Sequence, residues 1–246
     1  MGHDLTVRFR KARRDPALTV VEGFHALKHA LRFGAELVEA VAVDPEALER
    51  LAGELAPDLV GDLAGRVERI DAADLADLAP LVPRTGVIAI ARRPPLDLAA
   101  VLADPRPAPV VLLEQPKNMG NIGACIRVAA AADAAAVLST GENDPWYPDA
   151  VRGAAGLHFA LPVTAIEALP ASDRPLLAID PEGEDLDPDR LSPRAVLAFG
   201  TERHGISGEL LERADGRIAI PMRPGVSSLN LATSVAVTLF AMRLAS

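Results

Sequence analysis

Three short clusters combine glycines with polar side chains in a way suited to holding a ligand, and each follows an apolar, strand-like run. The first is Asn118-Met119-Gly120-Asn121-Ile122-Gly123-Ala124-Cys125-Ile126-Arg127. Its glycines let backbone approach a ligand, and a helix opening there favours anions. Arg127 lies one helical turn beyond Gly123, so Asn121 and Arg127 can both reach for a phosphate or ribose near that N-terminus; a plain strand-to-helix turn with a surface arginine is the alternative. The second is Phe199-Gly200-Thr201-Glu202-Arg203-His204-Gly205-Ile206-Ser207. Glu202 there is an acceptor for ligand or loop amides, or else lies in solvent beside a helix capped by Ser207. The third is Ile220-Pro221-Met222-Arg223-Pro224-Gly225-Val226-Ser227-Ser228-Leu229-Asn230. Ser227 or Ser228 is expected to cap the following helix, which places Asn230 in its first turn, where asparagine is unfavourable unless it holds a loop or a ligand.

Other chemistries find less support. His25 and His29 share a helix face at metal-compatible spacing, but no third ligand is apparent, so no metal is expected. There is no serine–histidine–aspartate order and no nucleophile elbow. The first cluster matches neither the dinucleotide fingerprint nor the phosphate loop ending in Lys-Ser/Thr. The single cysteine excludes an intramolecular disulfide framework and any cysteine-based zinc site.

The elements that must position these clusters follow from periodicity and punctuation. Prolines at 94, 95, 105, 107 and 109 mark residues 92–109 as an interdomain linker, with a short helix at Leu98–Leu102 inside it. Before it, strands are expected at Leu18–Val21, Leu37–Val43, Val67–Ile70 and Val87–Ala91. Helices are expected at Gly23–Phe33, Pro45–Leu55 and Ala72–Leu78, the last capped by Asp71. That order suggests a small α/β sandwich over residues 1–91. After the linker, residues 110–246 carry apolar runs at Val110–Leu113, Ala135–Leu138, Leu176–Ile179, Val196–Phe199 and Arg217–Ile220, as suits a parallel sheet covered on both faces. A Gly/Asn loop at Asn118–Gly123 leads into a helix at Ile122–Ala132, and a last helix spans Leu229–Leu244. The acidic run Asp180–Asp189 reads as a solvated loop. All three clusters lie just past strands, where open α/β sheets bind ligands.

The clusters together resemble the SpoU (TrmH-like) branch of the SPOUT methyltransferases. The match is Asn121-x-Gly123-x-x-x-Arg127, then Gly200-x-Glu202-x-x-Gly205-Ile206-Ser207, then Ile220-Pro221-Met222 followed by Ser228-Leu229-Asn230, across Val110–Leu244. Val21-Glu22-Gly23 before a helix is similar to the ribosomal-protein-L30e-like substrate-binding domain of many members. At Arg152-Gly153-Ala154-Ala155-Gly156 the chain departs from the family's Ser-Ala-Gly. The resemblance implies an α/β fold whose C-terminal parallel-sheet domain carries a deep trefoil knot, a rare exception to unknotted connections. It implies an S-adenosyl-L-methionine pocket in that knot, held by Phe199, Gly200, Glu202, Ile220, Met222, Ser228 and Leu229. It further implies a homodimer packed near the knot and methyl transfer to a ribose 2′-hydroxyl of RNA, without a metal. Arg127 is then the catalytic arginine, with Asn121, Glu202, Ser228 and Asn230 ordering the site.

The two-domain layout favours ribosomal over transfer RNA. A transfer-RNA enzyme, a resistance-conferring ribosomal RNA enzyme, a base methyltransferase of the wider superfamily and a non-catalytic RNA-binding module are the competing readings. The formal charge of −9 argues against nucleic acid at first sight. The excess is concentrated in the second half, however, with six acids in Asp180–Asp189 alone. Arg8, Arg10, Lys11, Arg13 and Arg14 form a basic run that suggests an RNA-binding surface on the first domain. Met1–Arg14 has no apolar signal-peptide core, and Val128–Leu138 and Leu229–Leu244 are too short or too polar to span a bilayer. A cytoplasmic protein is expected.

Overall fold

The computed structural model describes residues 2–201 and 204–245. The chain forms two compact units, one of residues 1–95 and 146–160, the other of residues 96–145 and 161–246.

The first unit comprises α1 (Gly2–Ala12), β1 (Leu18–Glu22), α2 (Phe24–Arg32), β2 (Leu37–Ala42), α3 (Pro45–Leu55), α4 (Val60–Leu63), β3 (Glu68–Arg69), α5 (Ala72–Leu78) and β4 (Val87–Arg92). Its sheet has the order β1-β4-β2-β3. β4 is antiparallel to both β1 and β2, and β3 is parallel to β2. The basic N-terminal run is helical as far as Ala12, with Arg13 and Arg14 in the turn after it, because Leu5, Phe9 and Ala12 recur at helical spacing and are buried with Val20, Val41, Leu75 and Ile88. Asp71 does not cap α5 through its side chain, whereas Asp44 caps α3 by accepting the Ala47 N–H at 3.0 Å.

The second unit comprises α6 (Leu98–Ala103), β5 (Val110–Leu113), α7 (Met119–Ala131), β6 (Ala136–Ser139), then β7 (Val163–Ala165), β8 (Leu176–Asp185), β9 (Val196–Phe199), α9 (Gly208–Arg213), β10 (Gly216–Ala219) and α10 (Leu231–Ala245). The helix between β6 and β7, α8 (Pro148–Gly153), belongs to the first unit. The sheet order is β10-β8-β9-β5-β6-β7, parallel at every pairing. Val110, Leu112, Ala136, Leu138, Ala178, Val196 and Ala198 bury one face with Leu102 of α6 and Leu210 of α9. The alternating residues Val111, Val137 and Leu197 are equally buried, as a sheet covered on both sides requires.

The structure corrects several sequence expectations. Residues 118–123 are not a loop ahead of a helix: Asn118 caps α7, and the two glycines lie inside it. The acidic run is not all loop, because β8 continues to Asp185, where Glu184 and Asp185 pair with Ile218 and Ala219 after a register shift. The run stays largely exposed, so its side chains are solvated while part of its backbone is strand. The linker is only partly a linker. Arg92 ends β4, and Leu102 and Ala108 sit in the second unit's core. Arg174, 4% exposed, fastens this stretch. Its guanidinium donates to the carbonyls of Leu102 (2.8 Å), Ala108 (2.9 Å), Asp104 (2.9 Å) and Arg194 (3.0 Å). Burial lowers its pKa from the ordinary value, and the ring of carbonyls compensates the charge.

Residues 146–160, read from sequence as part of the catalytic half, pack on β1 and α2. Arg152 meets Glu22 at 2.6 Å, and Arg13 meets the other carboxylate oxygen at 2.9 Å. The Glu22 side chain is 2% exposed. Thr19 Oγ1 donates to the Trp146 carbonyl at 2.9 Å. Gly156 (φ 76°) is obligatory, since a Cβ there would stand 2.1 Å from the Ala26 carbonyl oxygen.

Arg174→Met is expected to strip the donor from the Leu102, Ala108 and Arg194 carbonyls, Asp104 keeping Arg194 Nε at 3.2 Å, and to lower the unfolding free energy by about 3 kcal/mol or more. Urea titration followed by circular dichroism measures it.

Candidate active site

The middle of β8 at Ile179–Pro181, the carboxyl end of β9, the turn after it and the passage from β10 to α10 line a cavity of about 340 Å³. That is the size of a small-molecule or cofactor site. Its apolar walls are Ile179, Phe199, Ile220, Met222, Leu229 and Leu231, and Ser227, Ser228 and Thr201 bring hydroxyls. Of the expected cofactor residues, Phe199, Gly200, Ile220, Met222, Ser228 and Leu229 all line it. Glu202 lies outside the described residues.

Gly200 makes the cavity possible. The chain after β9 folds back so tightly that a Cβ on Gly200 would fall 2.0 Å from the Gly205 carbonyl carbon. Thr201 and Gly205 exchange both backbone hydrogen bonds at 3.0 Å, with Gly205 at φ 65°. Ser207 caps α9 as expected, accepting the Leu210 N–H at 3.2 Å. Sequence reasoning missed the residue on which Ser207 rests. Glu114, directly after β5, accepts the Ser207 N–H at 2.7 Å and its hydroxyl at 2.5 Å. The only sequence signal was an acid ending an otherwise apolar run.

Asn230 is not inside the last helix. It is the residue before α10, its Oδ1 accepts the Ala232 N–H at 2.9 Å and its carbonyl accepts the Ser234 N–H at 2.9 Å. It therefore takes the capping role expected of Ser227 or Ser228, and asparagine is among the best residues for that role. This leaves the two serines on the cavity wall. The Asn230 amide also donates to Asn121 Oδ1 at 3.1 Å, while the Asn121 N–H is held by Asn118 Oδ1 at 3.0 Å. One side-chain hydrogen bond thus ties the N-termini of α7 and α10 together. Arg127 projects from α7, exposed, with no hydrogen bond or ion pair to any described residue. Asn121 and Arg127 are not among the cavity-lining residues; Asn121 is tied to Asn230, between the lining residues Leu229 and Leu231.

No group of three or more His, Cys, Asp or Glu that could hold a metal occurs among the described residues. His29 Nδ1 instead lies 2.7 Å from the Ala155 carbonyl. The basic run divides. Arg8 is paired through two nitrogens with Glu39, at 2.7 and 2.9 Å, and also contacts Asp4. The Glu39 hydrogen bond raises its pKa. Arg13 is spent on Glu22 and the Leu78 carbonyl. Of this run, Arg10, Lys11 and Arg14 are exposed without ion pairs to the described residues.

The family model described as the SpoU rRNA Methylase family matches residues 108–240. The chain belongs to this family. An uncharacterised tRNA/rRNA methyltransferase of Mycobacterium bovis is 32% identical over 91% of the chain and 80% of its own length. A 23S rRNA (adenosine(1067)-2'-O)-methyltransferase of Streptomyces laurentii is 29% identical over 89% and 83%. Among solved structures, the SpoU methyltransferase AviRb from Streptomyces viridochromogenes in complex with AdoMet is 23% identical, covers 97% of each chain and superposes with a TM-score of 0.76. An RNA 2'-O ribose methyltransferase is 28% identical, with a TM-score of 0.70 over 97% and 95%. The SpoU fold thus extends over both units of the chain, beyond the 108–240 match.

Asn230→Ala removes a helix cap and the partner of Asn121 together. The expected loss is about 1 kcal/mol of stability, measured by urea denaturation against the unsubstituted chain.

Proposed function

We propose that this SpoU-family chain methylates ribose 2′-hydroxyls of RNA with S-adenosyl-L-methionine, and that ribosomal RNA is its substrate. The observation that carries the reading is the cavity at Gly200. Only a residue without a side chain permits it, its walls are largely apolar, and it opens next to two helix N-termini joined through Asn121 and Asn230. Family membership, the activity named for the S. laurentii relative and that of the solved RNA 2'-O ribose methyltransferase support the same reaction.

The residues fit the cofactor. Phe199, Ile220, Met222 and Leu229 offer apolar surface for an adenosyl group, Gly200 brings backbone flush against it, and Ser228 adds a hydroxyl. Glu202, expected from the family resemblance to be a structural acceptor, lies outside the described residues. S-adenosylmethionine would supply a sulfonium-activated methyl group for the ribose 2′-oxygen, with the neutral thioether as the leaving group and the hydroxyl proton released. The protein's part is to position the acceptor and steady the charge that develops on it. Arg127 is free for that task because no side chain of the described protein neutralises it. Its guanidinium does not give up a proton at ordinary pH, so it acts as a cation and donor on the ribose or adjacent phosphate. Asn121, Ser228 and Asn230 hold the helix ends from which it projects.

The preference for ribosomal RNA rests on the first unit, read as an L30e-like substrate-binding domain, and on the named 23S substrate of the S. laurentii relative. Arg10, Lys11 and Arg14 form the RNA-facing part of its basic run. A homodimer through the knotted domain accounts for Val237, Phe240 and Leu244, which leave an apolar stripe exposed on α10. The activity is cytoplasmic in this reading. No helix of the described residues is long and apolar enough to cross a membrane.

Mapping 2′-O-methyl groups on total RNA from a deletion strain tests the reading and identifies the nucleotide; an unchanged map overturns it. Arg127→Ala is expected to abolish methylation and leave cofactor affinity by isothermal titration intact, whereas Gly200→Ala is expected to abolish cofactor binding. Replacing Arg10, Lys11 and Arg14 together by Ala is expected to reduce the slope of log affinity against log salt by up to about 2, at roughly 0.7 for each phosphate no longer neutralised.

A further inference from the structure

Glu114 stands at a junction that neither the three sequence clusters nor the cavity lining includes. It is the first residue after β5. Its own N–H donates to the Phe199 carbonyl at 2.8 Å. Its carboxylate takes both donors of Ser207, the N–H at 2.7 Å and the hydroxyl at 2.5 Å. Phe199 and Ser207 are the two ends of the segment 200–206, from which Gly200, Thr201 and Gly205 line the cavity. One residue therefore pins both ends of that wall.

The same residue opens the segment leading to α7. Gln115, next in the chain, is held at φ 47°, and its N–H donates to Thr140 Oγ1 at 3.1 Å. The Asn143 amide donates to the Pro116 carbonyl at 2.8 Å. Asn118 then caps the helix that presents Asn121 and Arg127. A non-glycine residue in the left-handed region persists only where its surroundings over-determine it. Here they fix the path from Glu114 to the helix.

We propose that Glu114 is a positioning residue for methyl transfer, whose carboxylate sets the cavity wall at Gly200–Gly205 in register with the helix carrying Arg127. A carboxylate is suited to this, because it accepts from two donors of one residue at once and charge-assisted hydrogen bonds are the stronger kind. An amide in its place is uncharged and offers one acceptor oxygen, so Ser207 loses both charge-assisted bonds. The inference rests on the methyl-transfer reading above.

The test compares the unsubstituted chain with Glu114→Gln, Ser207→Ala and the double variant. Thermal unfolding, isothermal titration with S-adenosylmethionine and steady-state kinetics on the RNA found by methyl mapping are the readouts. Glu114→Gln is expected to keep its unfolding midpoint within a few degrees and to weaken cofactor binding roughly ten- to hundredfold. The KM for cofactor rises and kcat falls while the KM for RNA stays put. The double variant is expected to bind cofactor no more weakly than Glu114→Gln, since both substitutions break one linkage. Unchanged cofactor affinity in Glu114→Gln overturns the inference. So does additivity of the two substitutions, or a loss of binding that only follows a loss of folding. If the unsubstituted chain itself binds no cofactor, the methyl-transfer reading fails, and the inference falls with it.

Discussion

The site depends on one close approach: the backbone of Gly205 lies against Gly200, with no room for even a methyl group between them. A parallel sheet brings strand ends together but leaves them open to solvent. To make a hollow there, the chain must turn back over the end of β9, and any side chain at position 200 would push the turn away. The reciprocal Thr201–Gly205 hydrogen bonds hold the turn flat. The segment from β10 to α10 then supplies the opposite wall with Ile220, Met222 and Leu229.

The polar side of the site is built by a different device. Both α7 and α10 begin with asparagines whose side chains hold backbone N–H groups, Asn118 in one and Asn230 in the other. Asparagine can accept and donate at once. Asn230 therefore caps its own helix with its oxygen and reaches Asn121 with its nitrogen. A serine cap could not span the gap in that way while also facing the cavity. Arg127, by contrast, is left without a partner among the described residues. A cation that is already paired would have to exchange partners during the reaction; an unpaired one need not. In the proposed reading, this leaves the Arg127 head group unpaired by any described residue.

Much of this was legible from residue types. Strands at Val110–Leu113 and Val196–Phe199 coincide with the expected runs because both faces are buried, so apolar continuity marks them. The α3 boundaries at Pro45–Leu55 follow from Asp-Pro at the start. The errors share a physical cause. Glycine and asparagine at 118–123 suggest a loop, but Gly123 is buried with Ile122 on the packed face of α7, and the exposed Gly120 lies in the first turn beside the Asn118 cap. The acids of β8 hid a strand because backbone pairing with β10 is indifferent to solvated side chains. The capping serines were misplaced by a few residues, which is enough to move them from structure to cavity wall. Glu114 was invisible because its partner, Ser207, is distant in sequence, and no periodicity reports a long-range hydrogen bond. Residues 146–160 were assigned by position in the chain, whereas contacts with Glu22 and Thr19 decide where they pack.

Charge illustrates the same limit. Read linearly, Arg8, Arg10, Lys11, Arg13 and Arg14 form a single basic patch. A helix with Leu5, Phe9 and Ala12 on its buried face sorts them by angle instead. Arg8 comes to rest against Glu39 and Arg13 against Glu22, whose side chain is 2% exposed. Removing one partner of such a buried pair leaves an uncompensated charge and is strongly destabilising. Arg13 therefore answers to the fold, whereas Arg8, with 46% of its side chain exposed, makes a largely solvated pair with Glu39. Arg10, Lys11 and Arg14 face outward with nothing to neutralise them among the described residues. A phosphate backbone responds to local potential within about 8 Å at physiological salt, not to the net charge of the whole chain. Three outward cations on α1 and the turn after it are compatible with an anionic partner even when the acids of the second unit outweigh them in total.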